Sequence, residues 1–309
     1  MIYTVTLNPA FDLHYYLDSF FSCEDNFAND IETEAGGKGI NVSRVLNNLG
    51  IENKAFFLSG KENENRFLNL LDEYGIHYDY ISVNGKIREN VSLHSPNADD
   101  TRICVNGFKA NDKAVESLFE KLNSEIVQDD ILVFSGRLPI NVSKQKIIKD
   151  LIDLKNLGVK LFIDCASFEL SDLEVLKPYF VKPNRYEAKA LLGTDDALTS
   201  AKKLFELGIK NSCITLGGQG AVYACLDNIF TVYTKEIEAV SAVGAGDAFT
   251  AGFAAAVEKG FPPEKRIKFA VACGSASALE KGTNPPLHAE VLKLFSGINI
   301  IKKDSDSEC

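Results

Sequence analysis

A chain of 309 residues with 45% hydrophobic and 25% charged side chains is long enough to bury one large core and too ordinary in composition to be disordered or fibrous. Its formal charge of −10 makes nucleic acid an unexpected partner, because backbone recognition depends on Lys and Arg displacing counterions; an anionic small ligand would have to meet basic groups gathered inside its own pocket. Cysteines stand singly at Cys23, Cys104, Cys165, Cys213, Cys225, Cys273 and Cys309 with no C-x-x-C pair, which reads as reduced thiols in a cytosolic protein, and neither a signal segment nor a window of roughly 18 apolar residues is present, so export and membrane anchoring are not expected.

From the first residues onward, short apolar runs alternate with stretches of helical period, the pattern of an α/β fold with a mainly parallel central sheet and helices on both faces. Strands are expected at Ile2–Leu7, Lys54–Leu58, Ile131–Ser135, Lys160–Asp164, Tyr179–Lys182 and Ser212–Leu216. Val42, Val45, Leu46 and Leu49 follow i, i+3, i+4, i+7 spacing and Gly50 ends the run, so a helix is expected there. Further helices are expected at Glu64–Tyr74, Asp112–Ile126, Lys144–Leu157 and Ala197–Leu207. Two regions, about 11–35 and 77–108, break the rhythm: β-prone pieces such as Tyr78–Val83 and Asn90–His94 follow one another without a helix. They read as a small β-sheet lid beside a pocket, so residues 1–309 form a single domain with that lid attached. The polar end, Lys302–Cys309, is expected to fray.

Five motifs could carry chemistry. Asn8-Pro9-Ala10-Phe11-Asp12 follows the first strand and puts Asp12 at a carboxyl strand end, where ligands of open α/β sheets lie. Asp12 there could take two sugar hydroxyls, or it could be an exposed residue of an ordinary turn. Ala35-Gly36-Gly37-Lys38-Gly39-Ile40-Asn41 runs into a helix start and suits an oxyanion or a hydroxyl-rich ligand, unless it is only a tight turn with a solvated lysine. In Lys182-Pro183-Asn184-Arg185-Tyr186-Glu187, Asn184 and Glu187 could hold Mg²⁺ through its waters, and the same spacing outlines a helix-capping box.

Thr215-Leu216-Gly217-Gly218-Gln219-Gly220 allows close approach of a flat base or ribose, and a hairpin explains it equally well. Val243-Gly244-Ala245-Gly246-Asp247 passes into an Ala-rich helix whose free N–H groups make an anion site. Asp247 is expected to stay ionised at that helix start and to accept a hydroxyl proton while the N–H groups steady a transferring phosphoryl group. The plainer alternative is a helix-stabilising Asp after a flexible turn.

Other chemistries find little support. Phe249 stands where a dinucleotide fingerprint needs glycine, and no G-x-x-x-x-G-K-[ST] loop occurs. His14, His77, His94 and His288 show no zinc spacing, and no nucleophile elbow surrounds Ser135 or Ser143.

Taken in order, Asn8-Pro9-x-x-Asp12, Gly36-Gly37-Lys38-Gly39-x-Asn41, Lys182-Pro183-Asn184-x-x-Glu187, Thr215-x-Gly217-Gly218-x-Gly220 and Gly244-Ala245-Gly246-Asp247 resemble the ribokinase-like sugar kinases, in their phosphofructokinase B branch, over nearly the whole chain. The resemblance implies an α/β body with a β lid, ATP and Mg²⁺ as cofactors, and Asp247 as catalytic base beside an anion hole at Gly244, Ala245 and Gly246. It implies sugar contacts at Asp12, Gly37, Lys38, Gly39 and Asn41, an Mg-linked pair at Asn184 and Glu187, and a nucleotide site at Lys182, Asn184, Thr215, Gly217, Gly218, Gly220 and Gly246.

The opening Thr6-Leu7-Asn8-Pro9 is similar to that of branch members whose substrate already bears a phosphate; Lys38, Arg88 and Arg137 could gather around that dianion, or each could be an ordinary solvated surface charge. Two departures stand out: Ser135-Gly136-Arg137-Leu138-Pro139 where Ser-Gly-Ser-Leu-Pro is usual, and an acidic stretch over Ser95–Asn106. The expected reaction is phosphorylation of fructose 1-phosphate at its 6-hydroxyl to fructose 1,6-bisphosphate. Tagatose-6-phosphate or 6-phosphofructokinase activity is the near alternative, and a non-catalytic sugar-phosphate sensor the distant one. Exposed lid edges would be covered by pairing in a homodimer.

Overall fold

Runs such as Ile131-Leu132-Val133-Phe134 have no polar face, and a strand with no polar face must be buried on both sides. The computed structural model, which describes residues 1–304 apart from 227 and 235, shows how. Leu132 and Phe134 enter one hydrophobic core and Ile131 and Val133 the other. The strands, in chain order, are β1 (Ile2–Thr6), β2 (Ala10–Tyr16), β3 (Asp30–Gly36), β4 (Asn53–Gly60), β5 (Tyr78–Val83), β6 (Arg88–Ser95) and β7 (Ala98–Ile103). They continue with β8 (Ile131–Gly136), β9 (Lys160–Cys165), β10 (Phe180–Val181), β11 (Asn211–Thr215), β12 (Ala221–Cys225), β13 (Asn228–Tyr233) and β14 (Asn299–Asp304).

A 10-stranded sheet runs β14-β13-β12-β11-β10-β9-β8-β1-β4-β5, parallel from β11 to β5 and antiparallel from β11 to β14. A separate 4-stranded sheet runs β3-β2-β6-β7. This is the expected mainly parallel α/β body with a lid. Helices Lys38–Asn48, Ala245–Glu258 and Pro263–Ser277 contribute to the core that contains Ile131. No helix among the described residues is long and apolar enough to cross a membrane.

Three expectations change. Tyr78–Val83 lies in the large sheet, paired in parallel with β4, where Tyr78 and Tyr80 pack their rings on Phe57. No helix follows it, because it is the edge strand from which the chain crosses into the lid. Asp12 sits inside lid strand β2, opposite Glu34 and Asn90, and not in a loop after β1. Lys302 belongs to β14, held against Phe230 of β13, while residues 305–309 of the expected frayed end lie outside the described residues. The lid edges β3 and β7 expose Ile31 and Ile103, the surface on which the expected lid pairing would occur.

Candidate active site

Parallel strands that end side by side leave a crevice at their carboxyl ends. Here it is a cleft of about 1290 Å³, with Asn8 after β1, Arg137 after β8, Lys182 after β10 and Thr215 of β11 on its body side and Asp12, Arg88 and Asn90 on its lid side. Of the residues expected at a site, all reach this cleft except Gly39. A Cβ at Gly39 would stand 2.3 Å from Thr6 Oγ1 and 3.2 Å from Ser135 Oγ, so glycine there lets the Lys38–Asn48 helix sit on β1.

At the centre of the cleft, Gly244 takes φ 80, in the left-handed region that favours glycine, and opens the Ala245–Glu258 helix with no side chain capping its first N–H groups. Those donors are left for a ligand. Asp247, 8% exposed, accepts a hydrogen bond on Oδ2 from Asn41 Nδ2 at 2.7 Å. Burial pushes its carboxyl up to about 6, with Asp164 adding to the push and Lys38, Asn41 and Lys182 pulling the other way. The carboxyl expected to stay ionised is therefore held much closer to its neutral form than an ordinary aspartate.

Lys38 Nζ donates to Asp164 Oδ1 at 2.6 Å, and Lys182 Nζ lies 4.0 Å from Asp164 Oδ2. Burial opposes the charge on Lys38, yet Asp164, Asp247 and Glu187 hold its pKa above the usual lysine range. Burial likewise opposes the charge on Asp164, and the two lysines hold it below the usual range. A Cβ on Gly246 would come within 3.3 Å of Lys182 Nζ, so this ammonium abuts the helix start. Two cations, one carboxylate clamped between them and a row of free amides form a place where a multiply charged phosphate chain can rest.

The capping box at Asn184 and Glu187 is present: Asn184 Oδ1 accepts from the Tyr186 and Glu187 amides, each at 2.9 Å, and the Asn184 amide donates to Glu187 Oε2 at 2.8 Å. Glu187 Oε1 accepts no hydrogen bond among the described residues, and it lines the cleft where a ligand can reach it. Among the described residues no group of three or more His, Cys, Asp or Glu side chains could cage a metal ion. A divalent cation held near Asp164, Glu187 and Asp247 would take most of its oxygens from phosphate and water, as Mg²⁺ does. Gly217, Gly218 and Gly220 line the cleft beyond Thr215, as do Val243 and Ser275.

The lid end is rich in acceptors. Asp12 Oδ1 accepts from Asn90 Nδ2 at 2.9 Å and from Arg102 Nη2 at 2.7 Å. Asn8, Asn41 and Asn90 are each at least nine-tenths buried, and their Oδ1 atoms have no partner among the described residues. Buried acceptors left unpaired are costly, and a ligand bearing several hydroxyls would satisfy them. Arg88 bonds the Asn8 and Val105 carbonyls at 3.4 and 3.3 Å, leaving its buried Nε without a partner. Arg137 lines the same cleft and is exposed.

Behind the lid, Glu34 of β3 joins three segments. Its Oε2 accepts from the Thr283 amide at 3.0 Å and from the Thr283 hydroxyl, and its Oε1 from Arg44 Nη2 at 3.3 Å. Burial opposes ionisation, but His14, Arg44 and Thr283 together hold Glu34 down at about 2. Thr283 packs against Gly244, where a Cβ would meet Thr283 Cα at 3.4 Å, so lid, sugar-side helix and anion site are tied together.

Asp164, Asn8, Asn90 and Arg102 were not singled out from sequence. Asp164 ends an expected strand, and the carboxyl-end rule applied to Asp12 would have found it. Asn8 belongs to the Asn-Pro motif, where an asparagine before proline signals a turn and gives no sign of a buried acceptor. Asn90 and Arg102 carry no local signal, because their place depends on how the lid strands pair.

Residues 6–290 match the model of the pfkB family carbohydrate kinases. The chain is 34% identical over 286 residues to the 1-phosphofructokinase of Borreliella burgdorferi, covering 91% of this chain and 92% of that one. It is 29% identical to the 1-phosphofructokinase of Bacillus subtilis, over 91% and 93% of the two chains. Its fold superposes on phosphofructokinase-2 from Escherichia coli with a TM-score of 0.89 at 26% identity, covering 96% of this chain and 98% of that structure. A family match over most of the chain, together with a buried carboxylate at an uncapped helix start facing a hydroxyl-binding lid, leads to one conclusion: this chain belongs to the pfkB family of carbohydrate kinases and is a phosphotransferase.

Proposed function

We propose that this kinase transfers the γ-phosphoryl group of ATP to a hydroxyl of a ketohexose phosphate, with fructose 1-phosphate as the substrate and fructose 1,6-bisphosphate as the product. The observation that carries the reading is the pairing of Asp247 with Asn41 across the cleft floor, between the free amides of the Ala245–Glu258 helix and the acceptors of the lid. The sugar hydroxyl donates to Asp247, which takes its proton as the oxygen attacks the γ-phosphorus and the bond to the β,γ-bridging oxygen of ATP breaks. Asn41 fixes the orientation of the carboxylate. The Gly244–Gly246 turn, Lys38 and Lys182 balance the charge of the transferring group, and the lid keeps water from competing for it. Mg²⁺ bound to the nucleotide phosphates would add charge neutralisation there.

Three observations favour a substrate that already carries a phosphate. Arg88 has an unused buried N–H, Arg137 lines the same cleft, and relatives at 34% and 29% identity bear the name 1-phosphofructokinase. The likeness to phosphofructokinase-2 keeps 6-phosphofructokinase activity as a second reading. Initial rates with ATP across fructose 1-phosphate, fructose 6-phosphate, tagatose 6-phosphate and free fructose decide between them. The expected ranking puts fructose 1-phosphate first in kcat/KM, and a higher value for either 6-phosphate would overturn that choice.

The pH profile follows from Asp247. Its carboxyl must be ionised to accept the hydroxyl proton, and it protonates as pH falls through about 6. kcat/KM for the sugar is therefore expected to hold above pH 7 and to drop about tenfold per unit well below pH 6. A profile flat down to pH 4.5 would remove Asp247 as the base.

A further inference from the structure

The lid carries an arginine that the mechanism above does not use. Arg102 stands on β7, its side chain 41% exposed, and donates through Nη2 to the buried Asp12 Oδ1. It lines the same cleft as Arg88 of the lid and Arg137 of the body. Burial lowers the pKa of Arg88, Asp12 and Cys104 partly restore it, and the charges of Arg137 and Arg102 lower it further. Three guanidinium groups thus line one cleft in a chain whose net charge is −10, and two of them, Arg88 and Arg102, act on the buried Asp12.

Such a cluster gains from binding a dianion, because each like-charged neighbour that raises its energy when empty favours the anion when filled. Arg88 and Arg137 can reach that anion, but neither bonds Asp12 among the described residues. Arg102 does. A guanidinium has five N–H donors in a rigid fork, so Arg102 can keep Nη2 on Asp12 and present its remaining N–H groups to a neighbouring oxyanion.

We propose that Arg102 is a specificity-determining residue that bridges Asp12, which takes the sugar hydroxyls, to the phosphate already on the substrate. Recognition of that phosphate then depends on Arg102, while Asn90 Nδ2, 2.9 Å from Asp12 Oδ1, still holds the carboxylate for the hydroxyls of an unphosphorylated sugar. The inference rests on the sugar-phosphate reading given above.

The test compares wild type, Arg102→Gln and Arg102→Lys in initial rates with ATP, using a sugar phosphate that the wild type turns over and the same sugar without its phosphate. Calorimetric titration of the sugar phosphate in the absence of ATP accompanies it. Loss of one charge-assisted contact predicts a KM for the sugar phosphate raised about 10- to 100-fold in Arg102→Gln. A matching loss is expected in the titration, with KM for ATP and for the free sugar changed by less than about threefold. Arg102→Lys should recover only part of the loss, since an ammonium cannot make the fork. Unchanged KM for the sugar phosphate would overturn the proposal, and so would an equal rise for both sugars, which would make Arg102 only a support for Asp12. Failure of the wild type both to turn over and to bind any sugar phosphate would instead overturn the substrate reading on which the proposal stands.

Discussion

Asp247→Asn is expected to lower kcat by about 10²- to 10⁴-fold, the usual worth of a general base, with KM for the sugar nearly unchanged and the folded protein more stable than wild type at pH 8. Asn has the shape of Asp and its amide oxygen can still accept from Asn41, so ground-state contacts survive. Burial has raised the carboxyl from 3.8 to about 6, which means that the fold prefers it protonated. The stability from the neutral form is fully present below about 3.8 and is lost as pH rises through about 6. An amide is neutral throughout, so Asp247→Asn retains at pH 8 what the wild type has given up, on the order of 1–3 kcal/mol. Lys38 keeps Asp164 as its counter-ion, so the substitution does not strand an ammonium. Scanning calorimetry at pH 4 and pH 8 reads the difference: the melting temperatures should converge at the lower pH and separate at the higher one. Near-normal turnover would end the base assignment, and equal melting temperatures at pH 8 would show that the buried carboxylate carries no penalty.

That conflict between stability and function explains why the catalytic segment was readable while much of its setting was not. Small residues leading into an Ala-rich helix leave a local trace, and so do strands such as β1, β8 and β9, whose lack of a polar face forces them into the middle of the sheet. The environment that shifts Asp247 is assembled from Asn41, Lys38 and Asp164, 206, 209 and 83 positions away along the chain, and no periodicity reports such a meeting. The alternating polar and apolar residues of β2, β3 and β6 do not say which sheet a strand will join, and β5 went to the large sheet because Tyr78 and Tyr80 find Phe57 there. Arg102 was hidden by its neighbours: within an acidic stretch its charge looks locally balanced, and only the pairing of β7 with β6, setting Arg102 beside Ser92, brings it within reach of Asp12.

Arg44→Met should destabilise the protein by about 3–5 kcal/mol, the usual result of removing one partner from a buried ion pair. Arg44 is 4% exposed, lies 4.3 Å over the ring of Tyr74, and donates to Thr283 Oγ1 at 2.9 Å as well as to Glu34. Without it, Glu34 is a buried carboxylate with no fixed cation, since the remaining charged possibility, His14, lies 3.4 Å away and counts only when protonated. In the wild type, with the Glu34 pKa depressed from 4.5 to about 2, the contribution of Glu34 is present above about 4.5 and fades as pH falls through about 2. Removing Arg44 raises that folded pKa, so the variant should recover part of its deficit as acid protonates Glu34. Urea unfolding at pH 7 and pH 5 measures this directly, the variant's deficit shrinking at the lower pH. The double variant Arg44→Met, Glu34→Gln should be more stable at pH 7 than Arg44→Met alone, because no unpaired charge remains buried. Activity should not return with that stability: the double variant still lacks the charged clamp on Thr283, the residue packed on Gly244, so its kcat should stay below wild type. A loss of less than about 1 kcal/mol in Arg44→Met, or a double variant no more stable than the single, would show that the cluster is solvated and does not bind the lid to the anion site.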